Sequence, residues 1–194
     1  IDKSGSMGAG AEGSTKLDLA KAAAIAAADI MNPTDQVGIL AFDAAWDWAL
    51  PFRQVGKGEW ISERLSSLQS DGGTDLYKAM LEAHRGIAAK QAAIKHVIVL
   101  SDGLTDKADF HSLVAKMARD GITVSTVSAI SGDVVLVGDV GADDDVADAL
   151  LLDARDARVH LHRGLVGLLG LLEVVDRDVR AVLGEAHRDR LSDP

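Results

Sequence analysis

The chain has 194 residues, which suits one domain of ordinary size, and 47% of them are hydrophobic, enough to bury a sizeable core. Thirty Asp and Glu against 20 Lys and Arg leave a net charge of −10, which argues against sequence-independent nucleic-acid binding and suits a protein that holds divalent cations or simply stays soluble. The absence of cysteine excludes a disulfide scaffold and thiolate metal sites, and no apolar run reaches the roughly 20 residues of a membrane-spanning helix.

The first stretch, "IDKSGSMG", carries an apolar residue straight into Asp-x-Ser-x-Ser with glycines around it, as at the end of a strand. With Ile1 first, the sequence reads as a piece of a longer chain whose first central strand is almost wholly missing. "GAGAEGST" has the glycine separation of a phosphate loop, but Ser14 stands where the lysine is required and Lys16 follows too late. Thr15 to Met31 is predicted helical, with Leu17, Ala20, Ala24, Ala27 and Ile30 on one face and Asn32-Pro33 as the stop. Gln36 to Phe42 reads as a buried strand. A turn at Asp43-Ala44-Ala45 leads into "WDWALPF", where Trp46, Trp48 and Leu50 alternate with Asp47 and Ala49. This predicts a half-exposed antiparallel edge strand that can tolerate Pro51.

"GEWISERLSSLQ" is a short amphipathic helix with Ile61, Leu65 and Leu68 in register, and "SDGGTD" breaks the chain. "LYKAMLEAHRGIAAK" is helical again, and "KHVIVLSDG" is a buried strand running into a loop. "DFHSLVAKMARDG" is a helix with Phe110, Leu113, Val114 and Met117 on one face and Gly121 at its end, and "ITVSTVSAI" is a further strand. This alternation predicts an α/β domain over residues 1–130. Its central sheet is doubly wound and mostly parallel, with helices on both faces and one antiparallel edge strand.

Residues 131–194 are atypical. From Gly132 onward there is no aromatic residue and no Lys, Ile, Met, Asn, Gln or Thr. Two readings stay open. One is a helical extension, for which Leu165, Leu168, Leu169, Leu172, Val175, Val179, Val182 and Leu183 have the spacing. The other is an out-of-frame translation of a GC-rich gene.

Three polar loops carry the chemistry. Asp2, Ser4 and Ser6 follow the first strand, Thr74 precedes a helix, and Asp102 ends the strand "KHVIVLSD". The carboxyl ends of parallel strands face one edge, where ligands bind, so the three loops can converge there. Two carboxylates and three hydroxyls make a hard-oxygen set that suits magnesium, and the neutral hydroxyls leave the ion electrophilic.

"DKSGSM", "GGTD" and "LSDG", in this order and with "KLDLAKAAA" and "NPTDQVGILAFD" between them, resemble the von Willebrand factor A domain of bacterial type. The resemblance implies a Rossmann-like fold and a metal-ion-dependent adhesion site at Asp2, Ser4, Ser6, Thr74 and Asp102. It implies direct coordination by both serines, and often water-mediated coordination by the aspartates. It implies magnesium, with manganese or calcium as alternatives, and a partner protein whose acidic side chain reaches the ion. Nucleic acid is not an expected partner. Similar bacterial proteins are carried by membrane-anchored chains, which leaves a cell-envelope location open and the compartment unassigned.

Plainer readings stand beside these. Asp2, Ser4 and Ser6 alone could be a helix-capping turn, Thr74 could cap "DLYKAMLEAHRG", and Asp102 could be a turn residue. Asp43 and Asp71 read as turn or surface residues, the tryptophans as packing, and His160 and His162 as surface residues. The rival function is a metal-assisted hydrolase or phosphotransferase in the same crevice. That needs a nucleophile or base beside the ion. Of His, Cys and Lys the three loops offer only Lys3, which alternation turns away from Ser4; an Asp2 nucleophile is conceivable, but Ser4 stands where a second Asp would strengthen it.

Overall fold

The computed structural model describes residues 1–11, 13–103, 105–130 and 133–140. A 3₁₀ turn at Gly5–Gly8 is followed by a miniature antiparallel hairpin of β1 (Gly10–Ala11) and β2 (Ser14–Thr15), then α1 (Lys16–Asp29). The hairpin β3 (Gln36–Phe42) and β4 (Trp46–Gln54) comes next, then α2 (Glu59–Ser66), α3 (Leu76–Ala88), β5 (Lys95–Ser101), α4 (Phe110–Arg119), β6 (Ile122–Ile130) and β7 (Asp133–Val140).

β3 and β4 pair antiparallel, as the short Asp43–Ala45 link requires, and Pro51 falls where the register shifts opposite Val37 and Ile39. β5 and β6 pair in parallel across α4. β7 adds a second antiparallel edge that the sequence did not announce. Only residues 131–132 separate it from β6, too few for the crossover that a parallel neighbour needs.

Residues 1–3 join the two halves of the sheet. Asp2 pairs in parallel with Phe42. The Lys3 N–H donates to Phe42 O at 2.8 Å and the Phe42 N–H to Ile1 O at 2.9 Å, while the Asp2 N–H turns the other way to Leu100 O at 2.8 Å. The segment therefore runs between β3 and β5, at the centre of the sheet.

The layers follow from period-2 alternation. Ile39 and Leu100 face α1 and α2, where Leu17, Ala20, Ala23, Ile61 and Leu65 complete one core. Leu40, Phe42 and Val99 face α3 and α4, where Met80, Ile87, Phe110, Val114 and Met117 complete the other. The buried stripe of α1 is not the predicted one. Ala23 and Ala26 are buried, while Ala24 is only half-buried and Ile30 lies exposed beyond the helix. Alanine occurs on nearly every side of this helix, so packing against α2 and the sheet, rather than hydropathy, chooses the face. Gly121, at φ +70°, follows α4 as expected of a helix-ending glycine.

Trp48 packs against Phe52 with the two rings tilted by 52°, and donates its indole N–H to Glu82 Oε1 at 3.0 Å. A Cβ on Gly86 of α3 would stand 2.7 Å from the Trp48 ring. Alanine normally gains up to about 1 kcal/mol over glycine inside a helix. Here the overlap wins, and Gly86→Ala is expected to cost about 1–2 kcal/mol. A lower urea midpoint checks this, and an unchanged or raised midpoint contradicts it.

Candidate metal centre

The Asp2–Ser6 loop is built on a buried carboxylate. Asp2 is 0% exposed. Its Oδ1 accepts the Ser4 N–H at 2.8 Å and its Oδ2 accepts the Ser101 hydroxyl at 2.6 Å. The first bond is a local Asx turn that bends the chain at the strand end. The second ties it to the end of β5, next to Asp102. The bend brings the Ser4 and Ser6 hydroxyl oxygens to 3.1 Å from each other. Ser4 precedes the 3₁₀ turn, but its side chain makes no capping bond there. The plain capping reading of this serine therefore fails.

The Thr74 loop is laced to the first loop by its backbone. The Gly5 N–H donates to Gly72 O at 3.0 Å and the Asp71 N–H to Lys3 O at 2.8 Å. Gly72, at φ +75°, makes the turn that presents this carbonyl. Thr74 is half-buried, and it is Asp75 rather than Thr74 that caps α3, by accepting the Lys78 N–H at 3.1 Å. The threonine is thus not spent on the cap.

The third loop brings Asp102, whose side chain is 2% exposed. Its Oδ2 lies 2.8 Å from the Lys16 ammonium at the start of α1. Asp43 stands at the same rim as more than a surface residue. It forms an ion pair with Lys3, and its backbone O accepts the Asp75 N–H at 2.7 Å. The Lys3 ammonium holds the Asp43 carboxyl below the usual carboxylate range, helped by the Ala45 N–H.

The donors fit a hard cation. Two ligands on adjacent corners of a magnesium octahedron with bonds of about 2.1 Å lie roughly 3 Å apart. The Ser4 and Ser6 hydroxyl oxygens already have that separation. A cation, the Lys16 ammonium, already rests on Asp102. Among the described residues no group of three His, Cys, Asp or Glu side chains gathers to hold a metal, so hydroxyls must complete any such set.

The family model of the von Willebrand factor type A domain matches residues 1–104. The chain belongs to the von Willebrand factor A family. Proteins of this family generally mediate protein–protein interactions and typically bind divalent metal ions, and as a class they are interaction modules rather than enzymes. An uncharacterized protein of Synechocystis sp. is 26% identical over 110 residues, which is 56% of this chain and 25% of that protein. The A-domain chain thus spans only about a quarter of that relative.

Three solved structures share the fold. The conserved hypothetical protein BatB from Bacteroides thetaiotaomicron has a TM-score of 0.57 at 18% identity, covering 98% of this chain and 96% of that one. A von Willebrand factor type A protein from Catenulispora acidiphila has a TM-score of 0.55 at 24% identity, covering 65% of this chain and 31% of that one. An aerotolerance-related membrane protein from Bacteroides fragilis has a TM-score of 0.57 at 17% identity, covering 91% of this chain and 96% of that one.

Two residues of this A domain's polar edge escaped the sequence reading, Ser101 and Lys16. Each meets its partner far along the chain, across 99 and 86 residues respectively. For Lys16 there was a local sign: a cation in the first turn of a helix opposes the macrodipole and so needs an acid from elsewhere. His160 and His162, and the leucine spacing of the tail, lie outside the described residues.

Proposed function

We propose that this A domain is a binding module that holds a divalent ion, magnesium first and manganese or calcium as alternatives, at Ser4, Ser6, Thr74, Asp2 and Asp102, and recognises an acidic side chain of a partner protein there. The observation that carries the reading is the 3.1 Å approach of the Ser4 and Ser6 hydroxyls beside a fully buried Asp2. When bound, the ion supplies a directional positive centre for a carboxylate. The chain's own residues do the rest. Asp2 shapes the loop, the serines offer neutral oxygens, and the Asp43 and Gly72 backbone bonds keep the Thr74 loop in place. The surrounding loops set which partner fits.

A bacterial cell-envelope setting belongs to the same proposal. Its support is the likeness to a Bacteroides fragilis protein described as an aerotolerance-related membrane protein. Among the described residues no helix is long and apolar enough to cross a membrane.

Calorimetric titration of magnesium tests the centre. A saturable heat is expected, and it should vanish in a Ser4→Ala/Ser6→Ala variant that keeps the native circular dichroism. A folded chain that takes up no magnesium, manganese or calcium overturns the proposal. Metal-dependent turnover of phosphate or ester substrates, abolished by the same variant, would instead favour the rival enzyme.

A further inference from the structure

Lys16 sits where a helix least wants a cation. Thr15 is the N-cap of α1 and closes a capping box with Asp18, so Lys16 is the first helical residue, at the positive end of the macrodipole. Asp18 does not serve it as a partner. Both donors of Thr15, its N–H at 3.0 Å and its hydroxyl at 2.8 Å, bind Asp18 Oδ2, while Oδ1 lies 3.8 Å from Lys21. The Lys16 ammonium instead reaches across to Asp102, with a side chain 26% exposed meeting one that is 2% exposed. Its backbone N–H donates to Ala9 O at 2.9 Å, at the foot of the loop that carries Ser4 and Ser6. One residue thereby links the first and third loops of the polar edge.

From this we infer that Lys16 is a built-in counter-ion that competes with the divalent ion for Asp102 and so sets the affinity of the site. The inference rests on the metal-binding reading above. With Lys16 in place, the edge carries the charges of Asp2 and Asp102 less one, and the Asp102 oxygen that faces the ammonium is engaged. A divalent ion approaching that oxygen meets both a repelling charge and an occupied lone pair. Binding therefore draws the ammonium off Asp102 and toward the solvent that its side chain already touches. Lys16 lowers the site's affinity and in return keeps a buried carboxylate compensated when no ion is bound.

The test uses two measurements on the whole chain. Lys16→Met matches the aliphatic stem of the side chain, one atom shorter, and removes its charge. If the ammonium holds Asp102 nine-tenths of the time, the variant is expected to bind magnesium on the order of tenfold more tightly by calorimetry. Its metal-free form should melt earlier, and its melting temperature should rise more on adding magnesium than the parent's does. In the unaltered chain, acylation of Lys16 by an amine reagent, read by mass spectrometry, should speed up several-fold with magnesium, while exposed Lys57 labels at a constant rate. This second arm stands even if the variant folds poorly. Unchanged or weaker affinity in folded Lys16→Met, or labelling of Lys16 indifferent to magnesium in a parent chain that binds it, overturns the inference and leaves the metal site standing. No magnesium binding in either folded chain means that the metal-binding reading itself has failed.

Discussion

A chain whose first residue is Ile1 is expected to grow more stable as the pH rises from about 5 to about 8. Burial pushes the Ile1 amine from its ordinary 8.0 down to about 5, with the neighbouring Asp2 opposing the shift. The amine lies inside the sheet and donates to Leu40 O at 2.7 Å. In this interval the unfolded chain binds a proton that the folded chain refuses, so stability climbs with pH. Below the interval both states are charged and the folded state bears the full penalty. Above it neither carries the proton. At about 1.4 kcal/mol per pH unit, the charged amine costs on the order of 4 kcal/mol near pH 5, a large share of the roughly 5–15 kcal/mol that holds a domain together. Acetylating the amine converts it to an amide N–H that can still donate to Leu40 O. Urea midpoints measured with chelator at pH 5, 6, 7 and 8 should rise steeply for the free amine relative to the acetylated chain. Parallel pH profiles would contradict the burial argument.

The elements with strong periodicity were legible in the sequence. The faces of α2 and α4 follow Ile61 and Leu65 in the one and Phe110, Leu113, Val114 and Met117 in the other, because a single apolar stripe admits one docking face, although Leu68 falls beyond the end of α2. The hairpin of β3 and β4 was legible because a tight turn separates a buried apolar run from a period-2 run. The α1 face was not, because alanine on every side leaves the choice to tertiary packing. β4 also runs two residues past the expected Phe52, because Arg53 and Gln54 still pair with Val37 and Gln36.

At the polar edge, the sequence names residues by local pattern and loop position, and it does not name those defined by contact alone. Asp-x-Ser-x-Ser is a local motif, since its turn is made by Asp2 on Ser4. The choice of cap for α3 was ambiguous because Thr74 and Asp75 are adjacent and both types cap well. Asp75 takes the role because it stands next to the first helical residue. Lys16 and Ser101 acquire their roles only once β5 lies beside residues 1–3.

Ser101→Ala is expected to cost about 1.5–3 kcal/mol, the range for a hydrogen bond to a charged group. The Ser101 hydroxyl is the donor to Asp2 Oδ2, at 2.6 Å, on a carboxylate that no water reaches. The Ser101 hydroxyl oxygen in turn accepts the Gly103 N–H at 3.2 Å, which helps shape the loop after β5. Alanine leaves a buried carboxylate oxygen short of a donor, and nothing else in the substitution is large enough to match that loss. Ser101→Thr keeps the hydroxyl and should retain most of the stability. A cycle with Asp2→Asn separates charge from packing. Once Asp2 is neutral, removing the hydroxyl should cost less, with a coupling of about 1–2 kcal/mol between the two positions. Equal urea midpoints for Ser101→Ala and Ser101→Thr would mean that the hydroxyl does not hold Asp2. Where it does hold, the loop that carries Ser4 and Ser6 is fixed from the end of β5, next to Asp102. The two ends of the polar edge are then positioned relative to each other, and under the proposed metal-binding reading that lowers the ordering cost an ion would meet.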